Sequence, residues 1–146
     1  MQLTKIFHFE MAHAIYGYNG ACKNLHGHSY ELHVTVLSNC FQEQFIPAPG
    51  FIIDFKEIKR VVERMIIDAL DHKVVLSRDF IKGNAPLALI ENLVLWEMEP
   101  TAENILLYIR QVLQEAFPTE TKLVKLKLHE TKDSYAEWIN ANTFMA

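Results

Sequence analysis

The feature that most restricts this chain is a two-faced run over residues 26–38. Tyr30, Leu32, Val34 and Val36 alternate with Ser29, Glu31, His33 and Thr35. Successive side chains of an extended segment point to opposite faces, so the run predicts a strand with one buried and one open side. Such a strand needs a neighbour to pair with and a layer to cover its apolar face. Residues 3–13 supply the neighbour, since Ile6, Phe7 and Phe9 mark a second strand with an imperfect period of two. Tyr16-Gly17-Tyr18-Asn19-Gly20 is turn chemistry, and the loop over 14–25 joins the two strands as an antiparallel pair.

The covering layer comes from downstream. After Pro47, Pro49 and Gly50, the apolar Phe51-Ile52-Ile53 predicts a short buried strand. Asp54 is a good helix N-cap, and Glu57 three positions on makes a variant of the capping box. The helix so opened runs to about Leu70, with Phe55, Ile58, Val62, Met65, Ile66 and Ala69 on one face. Residues 74–99 are ambiguous: Gly83-Asn84 and Pro86 break them, and Leu93 to Trp96 predicts a strand. Thr101 caps a second helix carrying Ile105, Leu106, Ile109, Val112, Leu113 and Ala116. Residues 123–129 and 135–139 predict the last two strands. The expected fold is α+β, a mostly antiparallel sheet with two helices on one face.

Composition sets outer limits. At 146 residues, without repeat or low-complexity linker, the chain is expected to form one domain over residues 1–146. A net charge of −4 argues against a general nucleic-acid binder. No apolar run approaches the roughly 18–20 residues of a membrane span, and the first residues lack a signal-peptide pattern. A cytoplasmic, soluble protein is expected. In that reducing setting Cys22 and Cys40 are not expected to form a disulfide, and Cys40 reads as plain packing.

Histidines carry the strongest chemistry. His26 and His28 flank Gly27 at the start of the two-faced strand, so both point to one face and can converge on one ion. His13 ends the strand expected to pair there. Three neutral imidazoles with an open fourth position make the ligand count of a catalytic zinc site. Cys22 has two readings: a fourth ligand closing a structural site, or an unligated thiol beside the metal, where the positive charge favours thiolate. His72 follows Asp71 in a pairing that suits acid/base work, although a histidine at a helix C-terminus also meets the dipole favourably. Glu130 ends a strand, where a carboxylate can grip a guanidine-like edge bidentately or simply be solvated. Capping alone accounts for Thr101 and Glu103.

Taken in order, these motifs resemble a known family. His13, Cys22 with His26-Gly27-His28, Asp54-Phe55, Leu70-Asp71-His72-Lys73, Pro100-Thr101-Ala102-Glu103-Asn104 and His129-Glu130-Thr131 follow the pattern of the 6-pyruvoyl-tetrahydropterin synthase family. The three-residue gap between Cys22 and His26 looks most like the branch that makes 6-carboxy-5,6,7,8-tetrahydropterin for queuosine-type deazapurines. The stretch from Leu76 to Glu99 looks longer than in compact members, and the tail after Thr131 is more aromatic. The resemblance implies zinc held by His13, His26 and His28, with Cys22 as general base and Asp71 and His72 completing a relay. It implies Glu130 as the pterin anchor and Thr101 as a weaker contact. The implied substrate is 7,8-dihydroneopterin triphosphate, with 6-pyruvoyl synthesis or a non-catalytic zinc or pterin-binding module as alternatives. It further implies a tunnelling fold, a four-stranded antiparallel sheet with two helices on one face, assembled as a homo-oligomeric barrel of three or six copies with shared sites. His8, His33 and His129 remain outside this scheme, as structural or solvent-facing residues.

Overall fold

Strand β1 (Gln2–His13) and strand β2 (His26–Ser38) pair antiparallel along their whole length. The structure is a computed structural model and describes residues 1–38 and 45–141; Cys40 lies outside them. The expected alternation holds on both strands. Phe7, Phe9 and Met11 of β1 and Tyr30, Leu32, Val34 and Val36 of β2 are buried, while Ser29, Glu31 and His33 occupy the other face. The loop between the strands makes one 3-10 turn over Ala21–Lys23.

Helix α1 (Phe55–Val62) opens at Asp54, whose carboxylate accepts the Lys56 N–H at 2.8 Å. The capping box is not completed, because the Glu57 carboxylate turns to Arg60 instead. Nor is Phe51-Ile52-Ile53 a strand. Ile53 and Ile58 instead enter the core at the positions flanking the cap, a hydrophobic staple that accounts for the apolar run. A π-helical turn (Glu63–Ile67) leads into α2 (Asp68–Leu70), which ends where the sequence pattern placed it. The wider π turn changes the phase of the buried face: Val61 and Leu70 are buried, whereas Met65 and, at the start of α1, Phe55 are exposed.

The ambiguous stretch resolves into β3 (Lys73–Ser77), α3 (Arg78–Gly83) and β4 (Leu93–Trp96). β3 adds to the free edge of β1 and β4 adds to β3, and both ladders are parallel. Helix α4 (Ala102–Leu113) precedes β5 (Thr121–His129) and β6 (Tyr135–Ile139). The sheet is therefore six-stranded and mixed, in the order β4-β3-β1-β2-β5-β6, and not the expected four-stranded antiparallel one. The antiparallel four are present as β1-β2-β5-β6. Parallel neighbours require a crossover connection, and α3 with the turn after it provides the one between β3 and β4.

Helices α1, α2 and α4 cover one face of this sheet. Ile58, Ile66, Leu70, Ile105, Ile109 and Leu113 meet Phe9, Tyr30, Leu32, Leu126 and Leu128 in one cluster. A smaller cluster of Ala14, Leu76 and Phe80 seats α3. Ile109 is wholly buried, so Ile109→Ala is expected to destabilise the fold by about 2–5 kcal/mol, measurable by urea denaturation. Among the described residues, no helix is long and apolar enough to cross a membrane.

Candidate metal centre and active site

The β1–β2 register builds the centre. His13 lies opposite His26, and Met11 opposite His28. All three histidines share the helix-covered face with Phe9 and Tyr30, at the end of the sheet where the apolar layer stops. Their ring centroids stand 4.5, 5.2 and 4.9 Å apart, and one nitrogen from each lies within 4.8 Å of the others. Gly27 favours this approach: a Cβ there would stand 3.3 Å from the Met11 carbonyl oxygen, closer than an ordinary van der Waals contact.

The protonation pattern tests whether a metal suits these residues. His13 Nδ1 lies 2.6 Å from the Pro100 carbonyl oxygen, and His26 Nδ1 lies 2.7 Å from that of Asn24. In the neutral rings these nitrogens donate, so each Nε2 presents a lone pair. The two Nε2 atoms are 3.1 Å apart, a separation at which facing lone pairs repel unless a cation lies between them. Two donors on one tetrahedral ion with bonds of about 2.1 Å stand about 3.4 Å apart. A proton is the weaker candidate for that cation, because burial foremost lowers the pKa of His13. His28 Nε2 is also buried without a hydrogen-bond partner. The donor set fits a divalent ion of the zinc type.

A cavity of about 320 Å³ opens beside the three rings, lined by His13, Cys22, Glu130, Thr101, Tyr18 and Tyr135 among others. That volume is at the small end of the range for small-molecule sites. Cys22 reaches it because the loop folds back on β1, with the Ile15 N–H donating to the Cys22 carbonyl at 2.9 Å. The thiol is exposed. Glu130 Oε1 stands 3.8 Å from His28 Nε2, and Oε2 stands 4.0 Å from His13 Nε2. Tyr30, fully buried, points its hydroxyl at Glu130 Oε2, 3.5 Å away; burial and this carboxylate push its pKa well up. Thr101 lines the cavity and also caps α4, accepting the Asn104 N–H at 3.3 Å. Thr101→Ala is therefore expected to cost about 1 kcal/mol of stability, and Thr101→Ser to restore it, as read from thermal melts.

Asp71 and His72 lie elsewhere. They follow α2 at the start of β3, and His72 lines a second surface depression with Glu10, Gly27, His28 and Ser29, on the sheet face opposite the three imidazole rings. The pair is preformed. Asp71 Oδ1 accepts the Glu10 N–H at 2.8 Å, and Oδ2 meets His72 Nδ1 at 2.9 Å. These contacts, the Glu10 N–H first, lower the Asp71 pKa, so the carboxylate holds the Nδ1 proton and leaves His72 Nε2 free to exchange one. His72 has φ 57°, unusual outside glycine. Its backbone is held there by the Glu10 carbonyl, 2.7 Å from the His72 N–H, and by Asn92, whose side chain donates to the His72 carbonyl. Within one chain, the structure thus brings His13, His26, His28, Cys22, Glu130 and Thr101 together and leaves Asp71 and His72 apart.

The model of the 6-pyruvoyl tetrahydropterin synthase family matches residues 2–140. The chain belongs to that family. It is 28% identical over 141 residues to the 6-carboxy-5,6,7,8-tetrahydropterin synthase of Haemophilus influenzae, covering 94% of this chain and 97% of that protein. It is 30% identical to the synthase of the same name from Aquifex aeolicus, covering 94% and 96% of the two. The solved 6-pyruvoyl tetrahydropterin synthase of Caenorhabditis elegans shares its fold, with a TM-score of 0.69 at 18% identity over 97% and 96% of the chains. This family member also has site residues that the sequence reading did not pick out. Tyr30 follows His28 by two on the same strand face, a signal that was present. The Pro100 carbonyl that orients His13, and Tyr18, Ser134 and Tyr135 in the cavity wall, had no local signal, because loop and chain-end packing brings them in.

Proposed function

We propose that this chain converts 7,8-dihydroneopterin triphosphate and one water into 6-carboxy-5,6,7,8-tetrahydropterin, releasing acetaldehyde and triphosphate. One observation carries the reading: an exposed thiol, a carboxylate and His13, one member of a cluster of three converging imidazoles, line the same cavity. The names of the curated relatives that cover nearly the whole chain support the 6-carboxy product.

His13, His26 and His28 would hold zinc, which when bound supplies Lewis-acid polarisation of substrate oxygens. Glu130 binds the guanidine-like edge of the pterin through paired charge-assisted hydrogen bonds, and Thr101 contributes a weaker contact. Cys22 takes a proton from the substrate side chain. His72 returns or relays a proton through Nε2, with Asp71 fixing its tautomer. Because Asp71 and His72 sit on the other face of the sheet, the complete site draws them from a second copy of the chain. That requirement supports a homo-oligomeric assembly, a barrel of three or six protomers with shared sites. The substrate is a small molecule, and neither nucleic acid nor membrane takes part.

Incubation of the zinc-loaded protein with dihydroneopterin triphosphate tests the reading. Acetaldehyde and a carboxypterin are expected in equal amounts. A pyruvoyl product without acetaldehyde would assign the chain to 6-pyruvoyl synthesis, and no turnover would overturn both.

A further inference from the structure

We infer that Glu31, His33 and His129 form a second divalent-cation site on the open face of the sheet, distinct from the three-histidine centre. The register assembles it. Glu31 on β2 lies directly opposite His8 on β1 and directly opposite His129 on β5, so three ligating side chains form a row across three strands. Directly paired residues on one face have Cβ atoms about 4.5–5.5 Å apart. His33, two residues along β2, adds a fourth group to the same face.

The side chains turn toward one another. Glu31 Oε1 lies 2.6 Å from His33 Nε2, and Glu31 Oε2 lies 3.9 Å from His8 Nδ1. The rings of His33 and His129 stand 5.5 Å apart. One donor atom from each of Glu31, His33 and His129 lies within 4.8 Å of the others, one of two such groups among the described residues. Two imidazoles and one carboxylate suit zinc, cobalt or nickel, and leave a position for His8 or water. The neighbouring cation does not oppose this. Lys127, opposite His33 on β5, lies over the Tyr135 ring at 4.0 Å and within 3.9 Å of a Glu137 oxygen. The Glu31 carboxylate hydrogen-bonds His33 alone at close range; a shared cation engages His129 as well.

Metal stoichiometry tests the site without reference to turnover. Tag-free protein is stripped of metal and dialysed to equilibrium against micromolar zinc or cobalt, and metal per chain is measured by mass spectrometry. The expected result is two ions per wild-type chain, one in His33→Ala/His129→Ala and one in His26→Ala/His28→Ala. Glu31→Gln, a conservative change on the open face, also falls toward one ion, which keeps the test decisive if a double variant does not fold. One ion per wild-type chain, or undiminished binding in both Glu31→Gln and His33→Ala/His129→Ala, overturns the inference.

Discussion

Cys22→Ala is expected to lower turnover by about 10²–10⁴-fold, the range for loss of a positioned acid or base, while zinc content and fold remain those of the wild type. The three imidazoles converge without help from the thiol, and Cys22 is exposed on a 3-10 turn that carries no buried residue. Nothing in the core depends on its sulfur. Loss of metal together with loss of folding would instead identify a closed site of one cysteine and three histidines, in which metal binding is part of folding. The same variant tests the shared site. Mixing inactive Cys22→Ala with inactive His72→Ala protomers should regenerate activity, because about a quarter of randomly assembled sites combine an intact Cys22 with an intact His72 from the neighbour. No recovery on dissociation and reassembly would place both groups in one chain, against the separate cavities they line.

The second large effect falls on His26. His26→Ala is expected to weaken zinc binding at this centre by more than the about 10–100-fold typical for a group that only orients a ligand. Calorimetric titration measures it. A ligand at 1,000 times its dissociation constant stabilises the folded state by about 4 kcal/mol, so zinc should raise the wild-type melting temperature and leave most of that rise absent in His26→Ala. The metal-free proteins should differ by no more than about 1 kcal/mol. Removing His26 forfeits its hydrogen bond to the Asn24 carbonyl, and it also relieves two Nε2 lone pairs facing each other at 3.1 Å. An equal zinc-induced rise in both proteins would show that His26 is not a ligand.

Local patterning makes much of this protein legible in its sequence. Alternation at Tyr30 to Val36 described a half-buried strand because the side-chain period of a strand is two whatever lies around it. Asp54 and Thr101 marked helix starts because an N-cap satisfies backbone donors within its own first turn. His26 and His28 fell on one face for the same reason as Tyr30. Where the expectation failed, the deciding contact was remote. Val74 to Ser77 is a short apolar run, which periodicity cannot assign to strand or helix; it is a parallel strand because the free edge of β1 accepts it, and Leu93 to Trp96, the strand expected there, pairs in parallel with it in turn. Phe51 to Ile53 looked like a strand and serves as a staple, since Ile58 was available to pack on.

The candidate site divides along the same line. Residue type and spacing along β2 determined that two imidazoles converge, and that a thiol lies four residues ahead of the first. Only the tertiary structure decided that His13 completes the set, that the Pro100 carbonyl fixes its tautomer, and that Asp71 and His72 open onto the opposite face. Backbone periodicity acts within a strand and can be read from the chain. Which strands pair, and which face a distant loop returns to, depends on surface buried between segments many residues apart, and that is settled only when the whole sheet is assembled.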